Sequence, residues 1–357
     1  MRREERESIR RTKRALLSAG FTRRRRPKFP KRIIAAALAA VFLCLSLITD
    51  KYIFPVDYLW VYASQPSIAE REEGELRCFY LNVGQGDCTL IQLPDGQSLL
   101  IDCGNGNAEG LRTILSFCLA LKIGRIDHLL ITHADSDHIG GLEAVLRCFG
   151  AGTVYFPSYV FTEEVYESDL KCAEKYAERV CAAEVLTSFF AEEEEFFWYG
   201  LVLSGFIGED KEDENDSSAI LYLEYAGRRF LFPGDVSSAV ERELVTIFEE
   251  TGGVVFEVPV KTSFGSVVLS PVLKELDFLK ASHHGSADAT SAAFCEYVLP
   301  QAVFFSSGAG NSYGHPSQQT VQNLIQAVPS VQFYRTDELG NIMLTIAWDG
   351  SFSVRPV

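Results

Sequence analysis

The chain has 357 residues, 47% of them hydrophobic and 12% aromatic, which is enough for one large domain or two ordinary ones with a sizeable core. The formal net charge of −15 is distributed unevenly, because residues 1–32 hold 14 basic and 3 acidic side chains and the remainder holds 19 and 45. The remainder therefore carries a net charge of −26, which excludes a domain that is basic overall, as nucleic-acid-binding domains commonly are. We expect the two parts to lie in different surroundings.

An uncharged run of 17 apolar or small residues separates the two parts, at residues 33–49. Its length is at the short end of a membrane-spanning helix, and the aromatic residues that follow are typical of a membrane interface. We predict a basic cytoplasmic tail at 1–32 and a transmembrane anchor at 33–53 in the cell membrane, with the C-terminal part extracellular, because basic residues favour the cytoplasmic side. The tail could also bind anionic lipid or nucleic acid.

Two other interpretations of the apolar run are a cleaved signal peptide and a buried core helix. The first is disfavoured by the long basic region before the run and by the lack of a good cleavage sequence after it; YASQP at 62–66 is a poor candidate. The cluster RRRR at 23–26 disfavours a core helix, because it lies close to the run. An uncleaved anchor remains the prediction.

Residues 54–75 are predicted to form a linker, and one domain is predicted to cover 76–357. Apolar alternation bounded by turn residues predicts strands at 77–82, 87–93, 98–103, 126–132, 201–207, 218–225, 228–232, 254–258, 277–281, 302–306, 331–335 and 341–347. Helical periodicity predicts helices at 108–124, 141–150, 163–182, 237–250, 289–298 and 317–327. The mixture of strands and helices indicates an α/β domain.

The chain contains nine cysteines, and eight of them lie outside the predicted anchor. An even number in an extracellular domain is compatible with disulfide bonds. However, no C-x-x-C motif occurs, and five of the cysteines fall singly within apolar runs, namely Cys78, Cys88, Cys103, Cys118 and Cys148. We therefore expect mostly unpaired, buried thiols.

The segment HADSDH crowds four potential metal ligands directly after a predicted strand. They are His133, Asp135, Asp137 and His138. In extended backbone alternate side chains point the same way, so the first two could bind one metal ion while the last two turn toward a second. The alternative is a polar loop whose histidines are only hydrogen-bonded.

Further aspartates and histidines follow other predicted strands. Asp235 ends RRFLFPGD, the pair His283 and His284 follows DFLKAS, and His315 lies in NSYGHPS. Only His128 lies within an apolar strand, where we interpret it as structural. Core histidines would not gather at strand ends in this way, whereas ligands on loops carried by a rigid sheet would.

The motifs LNVGQGDCTLI, DGQSLLIDCG, LLITHADSDHIGGL, NDSSAILYLEYAGRRFLFPGD, LKASHHGS and NSYGHPS occur in this order. From about residue 76 to 354, the sequence resembles the metallo-β-lactamase-like hydrolase domain of the ComEC family of competence proteins. The resemblance implies an αββα metallo-β-lactamase-like sandwich, with a metal site at one edge between two sheets. It also implies hydrolysis of phosphodiesters, since that domain is regarded as a nuclease.

Carried over by position, the resemblance implies a set of metal ligands: His133, Asp135, Asp137, His138, Asp235 and one residue of the pair His283 and His284. His284 is favoured, because relatives often place this ligand directly before the glycine. Asp235 would bridge two ions. Asp137 or Asp235 would accept a proton, and His315 would contact the substrate phosphate or protonate the leaving group.

Three further positions follow from the same resemblance. Asp102 would orient the ligand loop from behind the ligands. Asn215 and Ser218 would fall where many members of the superfamily carry another histidine ligand. The sequence has no histidine between His138 and His283, and Asp135 replaces the second histidine of the usual H-x-H-x-D-H pattern.

These departures make the ligand set rich in carboxylates, so one or two ions of manganese or magnesium are as plausible as zinc. Hydrolysis of β-lactams by a zinc enzyme is disfavoured for the same reason. We expect a membrane-anchored, extracytoplasmic, metal-dependent phosphodiesterase or nuclease related to DNA-uptake proteins. It would lack the family's multi-span channel domain, and a separate DNA-uptake channel could be its partner.

The acidic charge leaves two alternatives open. A small cell-wall or lipid-head-group phosphodiester would tolerate a net charge of −26 better than DNA, unless metal ions and a local basic patch compensate. Lys261, Lys274 and Lys280 are weak candidates for such a patch. The missing histidine ligand favours a non-catalytic metal-binding surface protein as the other alternative.

Overall fold

The computed structural model of the chain describes residues 3–18, 40–41, 61, 65–191, 195–203 and 214–357. The chain divides into two compact units, residues 1–58 and 59–357. The first contains a helix, α1 (Arg3–Ser18). The predicted anchor at 33–53 lies outside the described residues, apart from residues 40–41. Within the described part of the chain, no helix combines the length and the apolar character needed to cross a membrane.

The second unit alternates strands and helices. Its described strands are β1 (Leu76–Tyr80), β2 (Thr89–Gln92), β3 (Ser98–Ile101), β4 (Ile126–Leu130), β5 (Ala151–Phe156), β6 (Ala177–Ala182), β7 (Ser188–Phe190), β8 (Trp198–Val202), β9 (Leu221–Tyr225), β10 (Arg228–Phe232), β11 (Val258–Thr262), β12 (Gly265–Leu269), β13 (Phe278–Lys280), β14 (Ala302–Phe305), β15 (Gln332–Arg335), β16 (Ile342–Ile346) and β17 (Phe352–Pro356). Its described helices are α2 (Ala108–Ala120), α3 (Ser136–Ile139), α4 (Leu142–Phe149), α5 (Glu167–Tyr176), α6 (Ser238–Thr251), α7 (Ala292–Val298), α8 (Gln318–Ala327) and α9 (Thr336–Leu339).

Among the described residues, the strands form two large mixed sheets and a small hairpin. The first sheet has the order β17-β16-β1-β2-β3-β4-β5-β6, and the second has the order β15-β14-β13-β10-β9-β8-β7. Strands β11 and β12 form the hairpin. In each large sheet one half is parallel, β3 to β6 in the first and β10, β13, β14 and β15 in the second.

Three apolar layers hold the sheets and helices together. Alternate residues of a strand face opposite sides of its sheet, so Phe79 packs under α2 and α4 while its neighbour Tyr80 packs between the two sheets. In the same way Phe230 faces the layer between the sheets, whereas Leu231 packs against α6 and α7. The order helix, sheet, sheet, helix confirms the αββα sandwich.

Most predicted elements occur within a few residues of their predicted positions, but the helix predicted at 163–182 is wrong in its last six residues. Helix α5 ends at Tyr176, and residues 177–182 instead form β6, which pairs in parallel with β5. The segment AERVCA has no clear strand pattern, so its pairing with β5 decides its conformation. The strand predicted at 254–258 begins as a 3₁₀ turn, and β11 starts only at Val258.

The eight cysteines outside the predicted anchor all carry free thiols, as expected. Four of the five cysteines predicted in apolar runs are buried, and so is Cys295, whereas Cys148 is only partly buried.

The parallel halves of the sheets position the candidate ligands. Asp102 follows the end of β3, and His133 follows the end of β4. Asp235 follows β10, and the pair at 283–284 follows β13. Since the carboxyl ends of neighbouring parallel strands meet at one edge of a sheet, these residues gather at the same edge of the sandwich.

Candidate metal centre

The HADSDH segment changes backbone conformation midway, and this gives its side chains two directions. Asp135 is extended, with φ −64° and ψ 146°, and α3 starts at Ser136. The side chains of Asp137 and His138 therefore do not point in the direction that His133 and Asp135 share in the extended part of the segment. The rings of the two histidines are fully buried, with their centroids 4.0 Å apart.

A buried cluster forms where this segment meets loops of the second sheet. Asp87, His138, Asp235 and His284 each offer one oxygen or nitrogen atom, and these atoms lie within 4.8 Å of one another. Oδ2 of Asp235 is 3.4 Å from Nε2 of His138 and 3.3 Å from Nε2 of His284. Nε2 of His284 also lies 3.2 Å from Oδ2 of Asp137. Asp235 thus faces candidate ligands from both sheets.

Four atoms of the centre are buried without a hydrogen bond to any described residue. They are Oδ1 of Asp87, Nε2 of His133, Nε2 of His138 and Oδ1 of Asp235. A buried polar atom without a hydrogen bond costs about 1–3 kcal/mol, and two of these atoms have only ion-pair contacts of 3.2 and 3.4 Å, so their grouping favours a bound cation. Imidazole nitrogens and carboxylate oxygens are the donors that bind manganese, zinc and related divalent ions. The residues therefore fit a divalent metal ion.

Asp135 lies at the rim of the centre. Its Oδ2 is 3.8 Å from Nε2 of His133, and its side chain is 44% exposed. Burial and the neighbouring His138 lower the pKa of His133 to about 3, so the ring is neutral, as a metal ligand must be.

Charge outweighs burial at the inner residues. Burial alone would lower the pKa of His138, but Asp235 and Asp102 raise it well above its ordinary value. Burial would likewise raise the pKa of Asp235, but His284 and His138 hold it well below its usual range. In the metal-free protein, protons on the histidines therefore supply the positive charge that these carboxylates require.

Asp102 contacts His138 directly, in the place predicted for an orienting residue. Its Oδ2 lies 2.9 Å from Nδ1 of His138 and accepts a hydrogen bond of 2.7 Å from the Thr132 hydroxyl. Its Oδ1 accepts a hydrogen bond from the Thr132 amide. The contact to Nδ1 turns the other ring nitrogen, Nε2, toward Asp235.

Asp87 is a member of the cluster that the sequence analysis missed. Its Oδ1 lies 3.2 Å from Nδ1 of His284, and its Oδ2 lies 2.7 Å from Nζ of Lys280. The amide of Asp87 donates to the carbonyl of Asp137, and a Cβ on Gly86 would lie 2.4 Å from that oxygen. Only glycine permits this approach, so the GQGD turn was the available signal.

Lys280 is buried beneath the centre and is therefore not available to a substrate as part of a basic patch. Its ammonium group donates to the carbonyl of Ala281 and pairs with Asp87. Burial would raise the pKa of Asp87, but Lys280 and His284 outweigh it and hold that pKa below its ordinary range.

His284 and His283 occupy different positions. His284 lies inside the cluster, with Nδ1 3.0 Å from the carbonyl oxygen of Ser306, so that Nε2 faces the carboxylates. His283 lies at the rim, where its side chain is 25% exposed and Nε2 is 3.8 Å from Oδ2 of Asp235. Both histidines adopt left-handed backbone conformations, with φ values of 47° and 54°.

A buried carboxylate that the sequence did not single out holds this strained loop. Oε1 of Glu241 accepts hydrogen bonds from the Ser282 hydroxyl and the Thr290 amide, both 2.7 Å long. Oε2 accepts a hydrogen bond of 2.8 Å from the Ser291 amide. Non-glycine residues with positive φ persist only where their surroundings over-determine them, and Glu241 binds the loop at both ends.

Asn215 and Ser218 lie beside Asp235. The Ser218 hydroxyl accepts a hydrogen bond from the Asp235 amide and donates one of 2.6 Å to the Asn215 carbonyl. A Cβ on Gly234, where φ is 63°, would lie 2.8 Å from Cβ of Ser218. These residues support the turn that presents Asp235.

His315 lies next to the centre, in a loop of the second sheet. Its ring centroid is 6.1 Å from that of His284 and 5.8 Å from that of His283. Burial and these two histidines lower the pKa of His315, so its ring is neutral near pH 7. Of the predicted ligands, His138, Asp235 and His284 therefore share the buried cluster with Asp87, whereas Asp135 lies at its rim.

Comparison with known proteins agrees with this fold. Residues 81–303 match the family described as the Metallo-beta-lactamase superfamily. ComE operon protein 3 of Bacillus subtilis is 28% identical over 300 residues, which cover 80% of this chain and 34% of that protein. Competence protein ComA of Neisseria gonorrhoeae is 26% identical over 280 residues, which cover 78% and 33%.

A solved structure also resembles the chain. Igni18, described as a novel metallo hydrolase from the archaeon Ignicoccus hospitalis, has a TM-score of 0.45 and 12% identity, with coverage of 78% of this chain and 98% of that one. The chain spans about a third of the length of the curated competence proteins that it matches. These competence proteins confirm the resemblance drawn from the motifs, and the family match covers more than half of the sequence. The chain therefore belongs to the metallo-β-lactamase superfamily.

Proposed function

We propose that the protein is a metal-dependent phosphodiesterase, and specifically a nuclease, anchored in the cell membrane with its catalytic domain outside the cytoplasm. The observation that carries the proposal is the buried cluster of Asp87, His138, Asp235 and His284, several of whose ligand atoms lack hydrogen bonds to described residues. Such a cluster, at the edge of an αββα sandwich, is suited to bind one or two divalent ions.

The chemistry divides between the ion and the side chains. A bound divalent ion supplies a Lewis acid and lowers the pKa of a bound water. Asp137 accepts the proton of the attacking water. Although Asp137 is partly buried, its hydrogen bond with His284 keeps its pKa below the ordinary value, so it is ionised at neutral pH. Because the ring of His315 is neutral near pH 7, it contacts the substrate phosphate by donating a hydrogen bond from its ring N–H.

The nuclease assignment rests on two supports. One relative that matches most of this chain, from Neisseria gonorrhoeae, is named as a competence protein, and competence is the ability of a cell to take up DNA. The ligand set combines three carboxylates of the HADSDH and FPGD segments with histidines, which suits the oxygen-binding ions manganese and magnesium. A separate DNA-uptake channel is the partner that this role requires.

The membrane anchor is proposed from the sequence. The apolar run at 33–49 follows 14 basic residues within 1–32, and aromatic residues follow it. This pattern supports a single span with a cytoplasmic N-terminus.

A specific observation favours a second candidate substrate. The net charge of −26 after residue 32, with the acidic run GEDKEDEND at 208–216, opposes the binding of a long polyanion. A small cell-wall or lipid-head-group phosphodiester has fewer charges and meets less repulsion.

One assay separates these functions. The full chain is stripped of metal, supplied with manganese, magnesium or zinc, and tested on single-stranded DNA and bis(p-nitrophenyl) phosphate. We expect metal-dependent cleavage of both substrates, and its loss in Asp137→Ala with the fold intact by circular dichroism. Asp349→Ala is the matched control, because Asp349 lies at the end of β10 that is remote from the metal centre. The carbonyl of its neighbour Gly350 accepts a hydrogen bond from Arg228 at the start of β10, whereas Asp235 of the centre follows the end of that strand.

Each other outcome has a distinct meaning. Cleavage of the small ester alone would favour the cell-wall or lipid phosphodiester. Metal binding without any cleavage would make the protein a non-catalytic metal-binding surface protein. Full activity in Asp137→Ala would remove this residue from the mechanism.

A further inference from the structure

An exposed aromatic ring lies beside the metal centre. Tyr313 is 70% exposed, and its ring centroid is 5.7 Å from that of His315, with the ring planes 29° apart. The plane of His315 makes an angle of 26° with that of His284, a member of the buried cluster. The three rings therefore form a continuous series of neighbouring rings that leads from solvent to the metal centre.

The loop that carries Tyr313 is tied at both ends. The Asn311 side chain donates hydrogen bonds to the carbonyls of Gly308 and His315, at 3.0 and 2.7 Å, and accepts one from the His315 amide. The Gly308 amide donates in turn to the side chain of Gln85, in the turn before Asp87. Because the loop is already ordered, the tyrosine ring is presented with little further entropy to lose on binding.

This arrangement has a chemical use that fits an acidic domain. A flat aromatic face next to a phosphodiester-cleaving centre can stack with a nucleobase, and such stacking tolerates any base because every base has a π face. Stacking does not depend on net positive charge, so it can hold a nucleotide where the domain's net charge of −26 opposes ionic contacts with phosphates.

We propose that Tyr313 is the stacking platform for the nucleobase adjacent to the scissile phosphodiester, so that the substrate class contains nucleotides. The inference rests on the proposed phosphodiesterase function and narrows its substrate. A lipid or cell-wall phosphodiester without a base would have no use for the ring.

The test compares two substrates that differ only in a base. The full chain, loaded with manganese, is assayed on a dithymidine phosphodiester and on its analogue with one abasic nucleoside. The quantity compared is kcat/KM for the dithymidine ester divided by kcat/KM for the abasic analogue. We expect Tyr313→Ala to lower this ratio about tenfold, and Tyr313→Phe or Tyr313→Trp to preserve it. Trp348→Ala is the matched control, since this residue is 72% exposed in the turn between β16 and β17 and lies outside the centre.

The result that overturns the inference is distinguishable from failure of the proposed function. If the wild type cleaves bis(p-nitrophenyl) phosphate but its substrate ratio is the same in Tyr313→Ala, or if it does not cleave the dithymidine ester, the stacking platform is wrong while the phosphodiesterase stands. If the metal-loaded wild type cleaves no phosphodiester at all, the proposed function itself fails. An unchanged melting temperature in Tyr313→Ala will show that any loss is not due to unfolding.

Discussion

The ammonium group of Lys280 lies 2.7 Å from Oδ2 of Asp87, a member of the metal centre, and both side chains are buried. Asp87 follows β1 in the first sheet, and Lys280 ends β13 in the second, so the ion pair joins the two sheets at the edge where the ligands gather. The other carboxylate oxygen of Asp87 lies 3.2 Å from Nδ1 of His284. The pair therefore connects the packing of the sandwich to the orientation of a candidate ligand.

Removing the positive member of this pair should destabilise the fold strongly. Lys280→Met leaves Asp87 buried and charged with only His284 beside it, and breaking a buried pair in this way costs about 3–5 kcal/mol. The free energy of unfolding from urea denaturation measures the loss. The exposed pair of Arg147 and Glu143 on α4 provides the control, because Arg147→Met should cost less than about 1 kcal/mol. Equal losses in the two variants would show that the buried pair is not important for stability.

Asp102 should control metal affinity through His138. Asp102→Asn places an amide where the carboxylate contacts Nδ1, and loss of such an orienting partner typically weakens metal binding 10- to 100-fold. Isothermal titration with manganese measures this change. Asp127 is a matched control, since it accepts hydrogen bonds from the amide and hydroxyl of Ser98 much as Asp102 does from Thr132. Asp127→Asn should leave the affinity unchanged, and a similar loss in both variants would contradict the specific role of Asp102.

Glu241 should affect the metal centre beyond its effect on stability. In the wild type, three hydrogen-bond donors of the loop point at the Glu241 carboxylate. Glu241→Gln replaces one carboxylate oxygen with an NH₂ group, which cannot accept a hydrogen bond. At least one of the three bonds is then lost, which releases the left-handed loop of His283 and His284. We expect metal affinity to fall at least tenfold, since the loop that positions His284 relaxes. Titration with manganese, together with thermal melting, separates the two effects.

The control for Glu241 lies one turn along α6. Leu244→Ala removes buried apolar contacts and should cost about 2–5 kcal/mol without changing a hydrogen bond of the loop. If Leu244→Ala weakens metal binding as much as Glu241→Gln does, the effect of Glu241 is general destabilisation.

The metal-free protein should lose stability as the pH rises from about 6.5 to about 9. Burial would lower the pKa of His284, but Asp235 and Asp87 raise it to about 9. The folded state therefore binds this proton more tightly than the unfolded chain does, so the stabilisation is complete below the unfolded pKa of about 6.5 and is lost as the pH rises through the folded pKa. Melting temperatures in EDTA across this range measure the effect.

Metal affinity should change in the opposite direction over the same range. A metal ion must displace the proton from His284, so the apparent affinity for manganese should rise as the pH approaches 9. In His284→Gln the fall in melting temperature should be smaller. A metal-free wild type whose melting temperature rises between pH 6.5 and 9 would falsify the assignment of this proton.

The sequence by itself determined the fold class and the residues that lie within local patterns. Apolar alternation located most strands, because a residue's side of a sheet depends only on its position along the strand. The order of motifs identified the αββα sandwich. The candidate ligands His133 and Asp235 were found because each lies directly after a strand, and parallel strands bring such ends to one edge.

Only the tertiary structure decided contacts between residues that are far apart in the chain. Asp87 joins the cluster because the turn after β1 packs against HADSDH and against the loop after β13. No local sequence pattern predicts this contact. In the sequence, Glu241 does not differ from any other acidic residue of a helix. Its role in holding the loop of His283 and His284 appears only because it is buried against that loop, some 40 residues later in the chain. Residues 177–182 become β6 because β5 offers them a partner, since strand pairing depends on a neighbour's edge as well as on the strand's own sequence.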